Sequence, residues 1–121
     1  MKLEKLTAQE EEVMLHIWKL GSCFVRDILN DMDEPRPPYT SLASVVKNLE
    51  KKKFVEAKKF GPITQYTPIV KARAYQRNCL AGVVKDYFTG SYKEMVSFFV
   101  HDQKLSKEDL QELIRQIEEK K

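Results

Sequence analysis

The sequence predicts a mainly α protein with a small β-hairpin wing. Leu42, Val45, Val46 and Leu49 recur at the i, i+3, i+4, i+7 spacing of an amphipathic helix. Directly after it, Phe54–Lys59 and Thr64–Thr67 alternate on either side of Phe60-Gly61-Pro62-Ile63, as two short strands joined by a tight turn do. Signatures of the Ser/Thr-x-x-Glu/Asp kind, at Thr7–Glu10, Ser91–Glu94 and Ser106–Asp109, each open a further apolar-periodic run.

Taken in order, the Thr7 hydroxyl and Glu10 carboxylate cap a helix over about Ala8–Leu20, and Gly21 stops it. Val13, Met14, Ile17 and Trp18 form its apolar stripe, and the acids Glu10, Glu11 and Glu12 suit the positive end of the helix dipole. Ser22–Phe24 reads as a brief extended segment. A second helix spans about Val25–Met32, with Val25, Ile28, Leu29 and Met32 on one face. The clustered prolines of Asp33–Pro38 force a loop, because proline lacks an N–H and clashes with a preceding turn. The third helix, within Pro37–Lys53, and the hairpin complete the order helix, helix, helix, strand, strand. That order is a winged helix-turn-helix, assigned to residues 1–70.

Residues 71–121 read as a separate helical tail. A helix over about Lys71–Phe88 carries Ala74, Tyr75, Leu80, Val83, Val84, Tyr87 and Phe88, and two capped helices follow. Three helices in about fifty residues cannot bury so many aromatic and aliphatic side chains alone. They can pack on the head or on a second copy of the chain. The second copy is favoured, since two heads related by a two-fold axis meet two half-sites on DNA. The expected homodimer contact is Tyr87, Phe88, Phe98, Phe99, Leu110, Leu113 and Ile117.

The outer face of the third helix points to a function. Thr40, Ser41, Ser44, Lys47, Asn48 and Lys51 lie opposite the apolar stripe, with no acid among them. Short hydroxyls and Asn can reach base edges in the major groove, and lysines reach phosphates. From Arg36 to Tyr75 there are nine basic residues against Glu50 and Glu56, in a chain of formal net charge +3, so the rest is net acidic. A concentrated basic segment is what polyanion binding needs. Lys58, Lys59 and Gln65 add the wing to this candidate DNA surface. Within the set, Ser41, Ser44 and Asn48 are expected to influence which sequence is read. Lys47, Lys51, Lys58 and Lys59 are expected to contact mainly phosphate.

Other classes are disfavoured. No nucleophile–base constellation, glycine-rich phosphate loop or metal-ligand cluster is visible, so neither enzyme activity nor a cofactor or metal is expected. Cys23 and Cys79, the only cysteines, read as buried small hydrophobes in a reducing compartment, and His16 and His101 as structural or surface residues. The N-terminus has no apolar core of signal-peptide length, and no apolar run could span a bilayer. A cytoplasmic protein without direct membrane insertion is expected.

With these residues in place, the chain resembles the penicillinase repressors BlaI and MecI and their copper-responsive relatives. The likeness rests on Leu6-Thr7-Ala8-Gln9-Glu10 with Val13-Met14 and Ile17-Trp18, on Tyr39-Thr40-Ser41 with Ser44 and Asn48-Leu49-Glu50-Lys51-Lys52, and on Tyr66-Thr67-Pro68 in the wing. It implies a dimeric repressor with a winged-helix head and a helical dimerisation tail. It further implies AT-rich inverted-repeat operators and a membrane sensor metallopeptidase as partner. Three positions depart from the family pattern. Asn48 stands where the family has Arg. Lys53 replaces a helix-ending Gly, where positive φ is expected. The family's scissile Asn-Phe aligns with Phe98-Phe99, which lacks the Asn but remains the candidate cleavage region. The Cys-rich end of the copper-responsive branch is missing, which argues against copper sensing. The alternatives are a winged helix used as a protein-interaction module, or a regulator released by an unidentified ligand rather than by proteolysis.

Overall fold

A computed structural model describes residues 3–120. Met1, Lys2 and Lys121, the outer ends of the two expected domains, lie outside the described residues. The element order is α1 (Ala8–Leu20), β1 (Cys23–Phe24), α2 (Val25–Asp31), α3 (Tyr39–Lys51), β2 (Val55–Phe60), β3 (Ile63–Pro68), α4 (Ala72–Tyr87), α5 (Tyr92–His101) and α6 (Lys107–Glu119). The chain divides after Arg77 into two compact units. Among the described residues, no helix is long and apolar enough to cross a membrane.

The first unit is built on the apolar stripes. Val13, Met14 and Ile17 of α1, Val25 and Ile28 of α2, and Leu42, Val45, Val46 and Leu49 of α3 converge in one core, closed by Phe54, Val55 and Tyr66. Trp18 and Leu29 are only partly buried at its edge. The Trp18 indole N–H donates to the Val70 carbonyl at 2.8 Å, so the ring's polar edge has a partner.

The sheet has three strands in the order β1-β3-β2, all antiparallel. The brief segment before α2 is thus a true edge strand, with Cys23 opposite Tyr66 and Phe24 opposite Gln65. In the hairpin, Phe60 opposes Ile63 across Gly61-Pro62. Gly61 has φ +61°, the value a type II′ turn requires at its first central position, and Pro62 supplies a fixed negative φ at the second.

The end of α3 is a Schellman motif. Lys53 N–H donates to the Glu50 carbonyl and Phe54 N–H to the Leu49 carbonyl, both at 3.0 Å. Lys53 adopts φ +65°, the left-handed conformation expected of the absent glycine. A side chain there costs conformational energy that glycine avoids. Lys53→Gly should therefore raise the stability of the head by about 1 kcal/mol in urea denaturation. A loss instead would mean that the lysine makes a compensating contact.

The acids at the start of α1 do more than complement a helix dipole. The Thr7–Glu10 box forms, yet Glu10 is also buried, and its carboxylate accepts from Lys52 Nζ at 2.6 Å. Burial pushes the Glu10 carboxyl up, but hydrogen bonds from Lys52 and the Thr7 amide, with the Lys52 charge, outweigh it and hold the group below its ordinary value of 4.5. Glu11 accepts from the Tyr75 hydroxyl at 2.6 Å. A depressed folded pKa means that the unfolded chain takes the proton first, so this stabilisation is lost as pH falls below about 4.5. Lys52→Ala strands a buried carboxylate and should cost about 1–3 kcal/mol at neutral pH. It should also flatten the acid limb of a melting-temperature profile. An unchanged acid limb would show that the pair does not carry it.

In the second unit, Ser106 and Asp109 complete the predicted capping box of α6. At α5 only half of the box forms: Ser91 accepts from the Glu94 N–H. Cys79 is exposed, contrary to the expectation that both cysteines are buried, because it lies on a solvent face of α4. Cys23 is buried as expected, and desolvation, with the nearby Asp27 charge, pushes its thiol up to about 11. His16 donates from Nδ1 to Asp31 at 2.6 Å, which ties α1 to the end of α2.

Candidate nucleic-acid interface

The geometry of α3 separates two faces. Leu42, Val45, Val46 and Leu49 are buried in the head, whereas Thr40, Ser41, Ser44, Lys47, Asn48 and Lys51 are all exposed. A helical period of 3.6 residues places the exposed group on one strip about three turns long. Pro38 precedes α3 without a side-chain cap, and no acid lies in its first turn. No carboxylate of that turn therefore opposes an anion approaching that end of the strip.

The wing divides its residues by register. Lys58 opposes Gln65, and Lys59 opposes Thr64. Neighbours along a strand emerge on opposite faces, so Lys58 and Lys59 flank the ribbon on its two sides. Both are exposed, while Gln65 is half-buried between β2 and β1. The Lys58 ammonium sits 5.3 Å from the centroid of the Phe60 ring, which meets Phe24 edge-on at 6.4 Å. The tip of the wing is thus propped against β1.

Charge counting along the sequence overestimated the free cations. Lys52 is committed to Glu10 and to the Lys5 carbonyl, at 2.6 and 2.9 Å. Arg36 donates from Nε to the Met32 carbonyl at 2.8 Å, satisfying the end of α2. Among the described residues, Lys47, Lys51, Lys53, Lys58 and Lys59 have no carboxylate within ion-pair distance. Sequence reasoning also passed over Arg26. This exposed residue of α2 holds its guanidinium 5.7 Å from the ring centroid of Tyr39, the first residue of α3. Its only signal in the sequence was a cation on the polar face of the preceding helix.

The second unit presents a different surface. Among its described residues only Val84 is buried. Tyr87 is 79% exposed, Phe98 50%, Phe99 40%, Leu113 42% and Ile117 64%, while Phe88 and Leu110 are partly buried. Phe98 meets both Phe88 and Phe99 at centroid distances of 5.7 Å. Phe98 and Phe99 lie inside α5, so the peptide bond between them is helical. Across both units, no group of three or more His, Cys, Asp or Glu among the described residues could hold a metal ion.

The sequence model of the penicillinase repressor family matches residues 6–119. The methicillin resistance regulatory protein MecI of Mammaliicoccus sciuri is 27% identical over 114 residues, covering 93% of this chain and 92% of the relative. MecI of Staphylococcus aureus strain N315 matches at the same identity and coverage. The penicillinase repressor of Bacillus licheniformis is 26% identical over 122 residues, covering 99% of this chain and 94% of the relative.

Proposed function

The chain belongs to the penicillinase repressor family, and from that premise we propose that it is a dimeric, sequence-specific DNA-binding repressor acting on an inverted-repeat operator. The observation that carries this reading is the outer strip of α3. Its hydroxyls, amide and lysines are exposed and free of acid, as a helix that enters a major groove requires. In this reading Ser41, Ser44 and Asn48 meet base edges. Lys47 and Lys51 meet phosphates of the same groove. Lys58 and Lys59, on the two sides of the wing, meet phosphates beside it.

The apolar surface of α4, α5 and α6 supports the dimeric part of the proposal. A second copy would cover Tyr87, Phe98, Phe99, Leu113 and Ile117 and give the two heads their two-fold relation. Release from DNA by proteolysis between Phe98 and Phe99, through a membrane sensor metallopeptidase, follows from the family resemblance. A helical peptide bond must first open locally to enter a protease, so cutting would track the opening of α5.

Mobility shifts against a pool of random duplexes flanked by constant arms test the reading. The wild-type chain should enrich an inverted repeat. Lys58→Ala should weaken binding to every duplex alike and lower the salt slope by about one unit. Enrichment of no sequence, with binding instead to a protein, would turn the reading toward an interaction module. A Lys58→Ala chain with altered base preference and an unchanged salt slope would refute the phosphate role.

A further inference from the structure

We propose that Arg26, on the helix before the recognition helix, is an additional phosphate contact, held in position by the ring of Tyr39. The inference rests on the DNA-binding reading above and extends its surface from α3 onto α2.

Three observations carry it. First, the Arg26 guanidinium is stationed 5.7 Å from the Tyr39 ring centroid, and Tyr39 directly precedes Thr40 and Ser41 on the exposed strip of α3. The ring thus biases the cation toward the start of that strip. Second, Arg26 spends its charge on nothing else. Among the described residues no carboxylate lies within ion-pair distance of it. The neighbouring Asp27 is engaged with the Phe24 N–H at 2.8 Å. Third, both partners reach solvent: Arg26 is exposed and Tyr39 is 45% exposed.

A guanidinium near an aromatic ring keeps its in-plane N–H fork available, and that fork matches two oxygens of a phosphate. The ring restricts the side chain before DNA arrives, so less freedom is lost on binding. A helix that precedes the recognition helix crosses the DNA backbone, which is where such a fork would meet phosphate. Phosphate contact predicts affinity and salt dependence without base preference.

The test uses the full chain and a fluorescein-labelled mixed-sequence duplex, read by anisotropy over a roughly tenfold range of KCl. Arg26→Ala should flatten the salt slope by about one unit and weaken binding roughly eightfold at about 0.1 M salt. Arg26→Gln should do the same, guarding against an effect peculiar to alanine, and circular dichroism checks that both variants are folded. Arg26→Lys should keep the slope. Tyr39→Leu should keep it too, while weakening binding about two- to fivefold, the value of an exposed cation–π contact. Folded Arg26→Ala and Arg26→Gln chains with the wild-type slope and affinity would overturn the inference. A changed base preference in either, read by repeating the titration on a second duplex of different sequence, would also overturn it. If those variants are silent while Lys58→Ala lowers the slope, only this inference falls. If the wild-type chain does not bind the duplex at all, the DNA-binding reading falls and takes Arg26 with it.

Discussion

A chain carrying Phe98→Asp together with Leu113→Asp should sediment as a monomer at micromolar concentration, where the wild-type chain should give twice the chain mass. Its affinity for an inverted-repeat duplex should drop on the order of 10²–10⁴-fold, because linking two heads makes the second contact intramolecular. The physical argument is the shortage of partners within one tail: Phe98 is half exposed and Ile117 more so, and only Val84 is buried among the described residues of that unit. Burial of apolar surface yields roughly 25 cal/mol per Å², so uncovered phenylalanine and leucine side chains are a strong drive toward a second copy. An aspartate at each position would have to be desolvated in the interface. The exposed polar strip of α3 is untouched, so any residual half-site binding should keep its base preference. A chain ending at Phe98 should lose dimerisation and operator affinity together, as the proteolytic reading requires. A folded double variant that still dimerises would remove these residues from the interface. A truncated chain that still represses would show that the tail is not the switch.

The second large effect lies in the head. Phe54→Ala should destabilise it by about 3–5 kcal/mol, the usual cost of emptying a large buried aromatic site. Phe54 is 1% exposed and meets Tyr75 edge-on at 5.7 Å. Its N–H closes the Schellman motif of α3, and its carbonyl accepts from the N–H groups of Ile69 and Val70 at 2.8 and 3.3 Å. One residue therefore joins the end of α3, the wing and the chain leading to α4. Against a total stability of about 5–15 kcal/mol this is a large fraction. The melting temperature, followed by circular dichroism, should fall by roughly 15–30 °C. Phe54→Leu should recover much of it by refilling the space. A loss below about 1 kcal/mol would show that the surrounding core collapses into the cavity and that Phe54 is not the joint described here.

Much of the head was legible because its signals are local. The α1 limits Ala8–Leu20 follow from a capping box and a terminal glycine, and the four buried residues of α3 follow from helical spacing alone. Lys53 at positive φ was legible from the resemblance, since the chain must take the left-handed turn whichever residue stands there. The half-formed box at Ser91 shows the limit of such signals. The hydroxyl of the cap is positioned by the backbone, but the Glu94 side chain remains free to turn away. Cys79 failed for a related reason: cysteine is commonly buried, but residue type does not say which side of α4 meets solvent.

The candidate site divides along the same line. The sequence alone determined which face of α3 is polar and which is apolar, because helical periodicity depends only on neighbours along the chain. It also determined that a hairpin follows, and that cations concentrate between Arg36 and Arg73. Only the tertiary structure decided which of those cations are free. Lys52 is turned inward by Glu10, 42 residues earlier, and Arg26 is brought to Tyr39 from a different helix. Strand pairing likewise placed Gln65 between two strands. Charge belongs to a residue wherever it stands, so it can be counted along a sequence. Availability of that charge depends on partners within a few ångströms, and those partners meet only when the chain has folded.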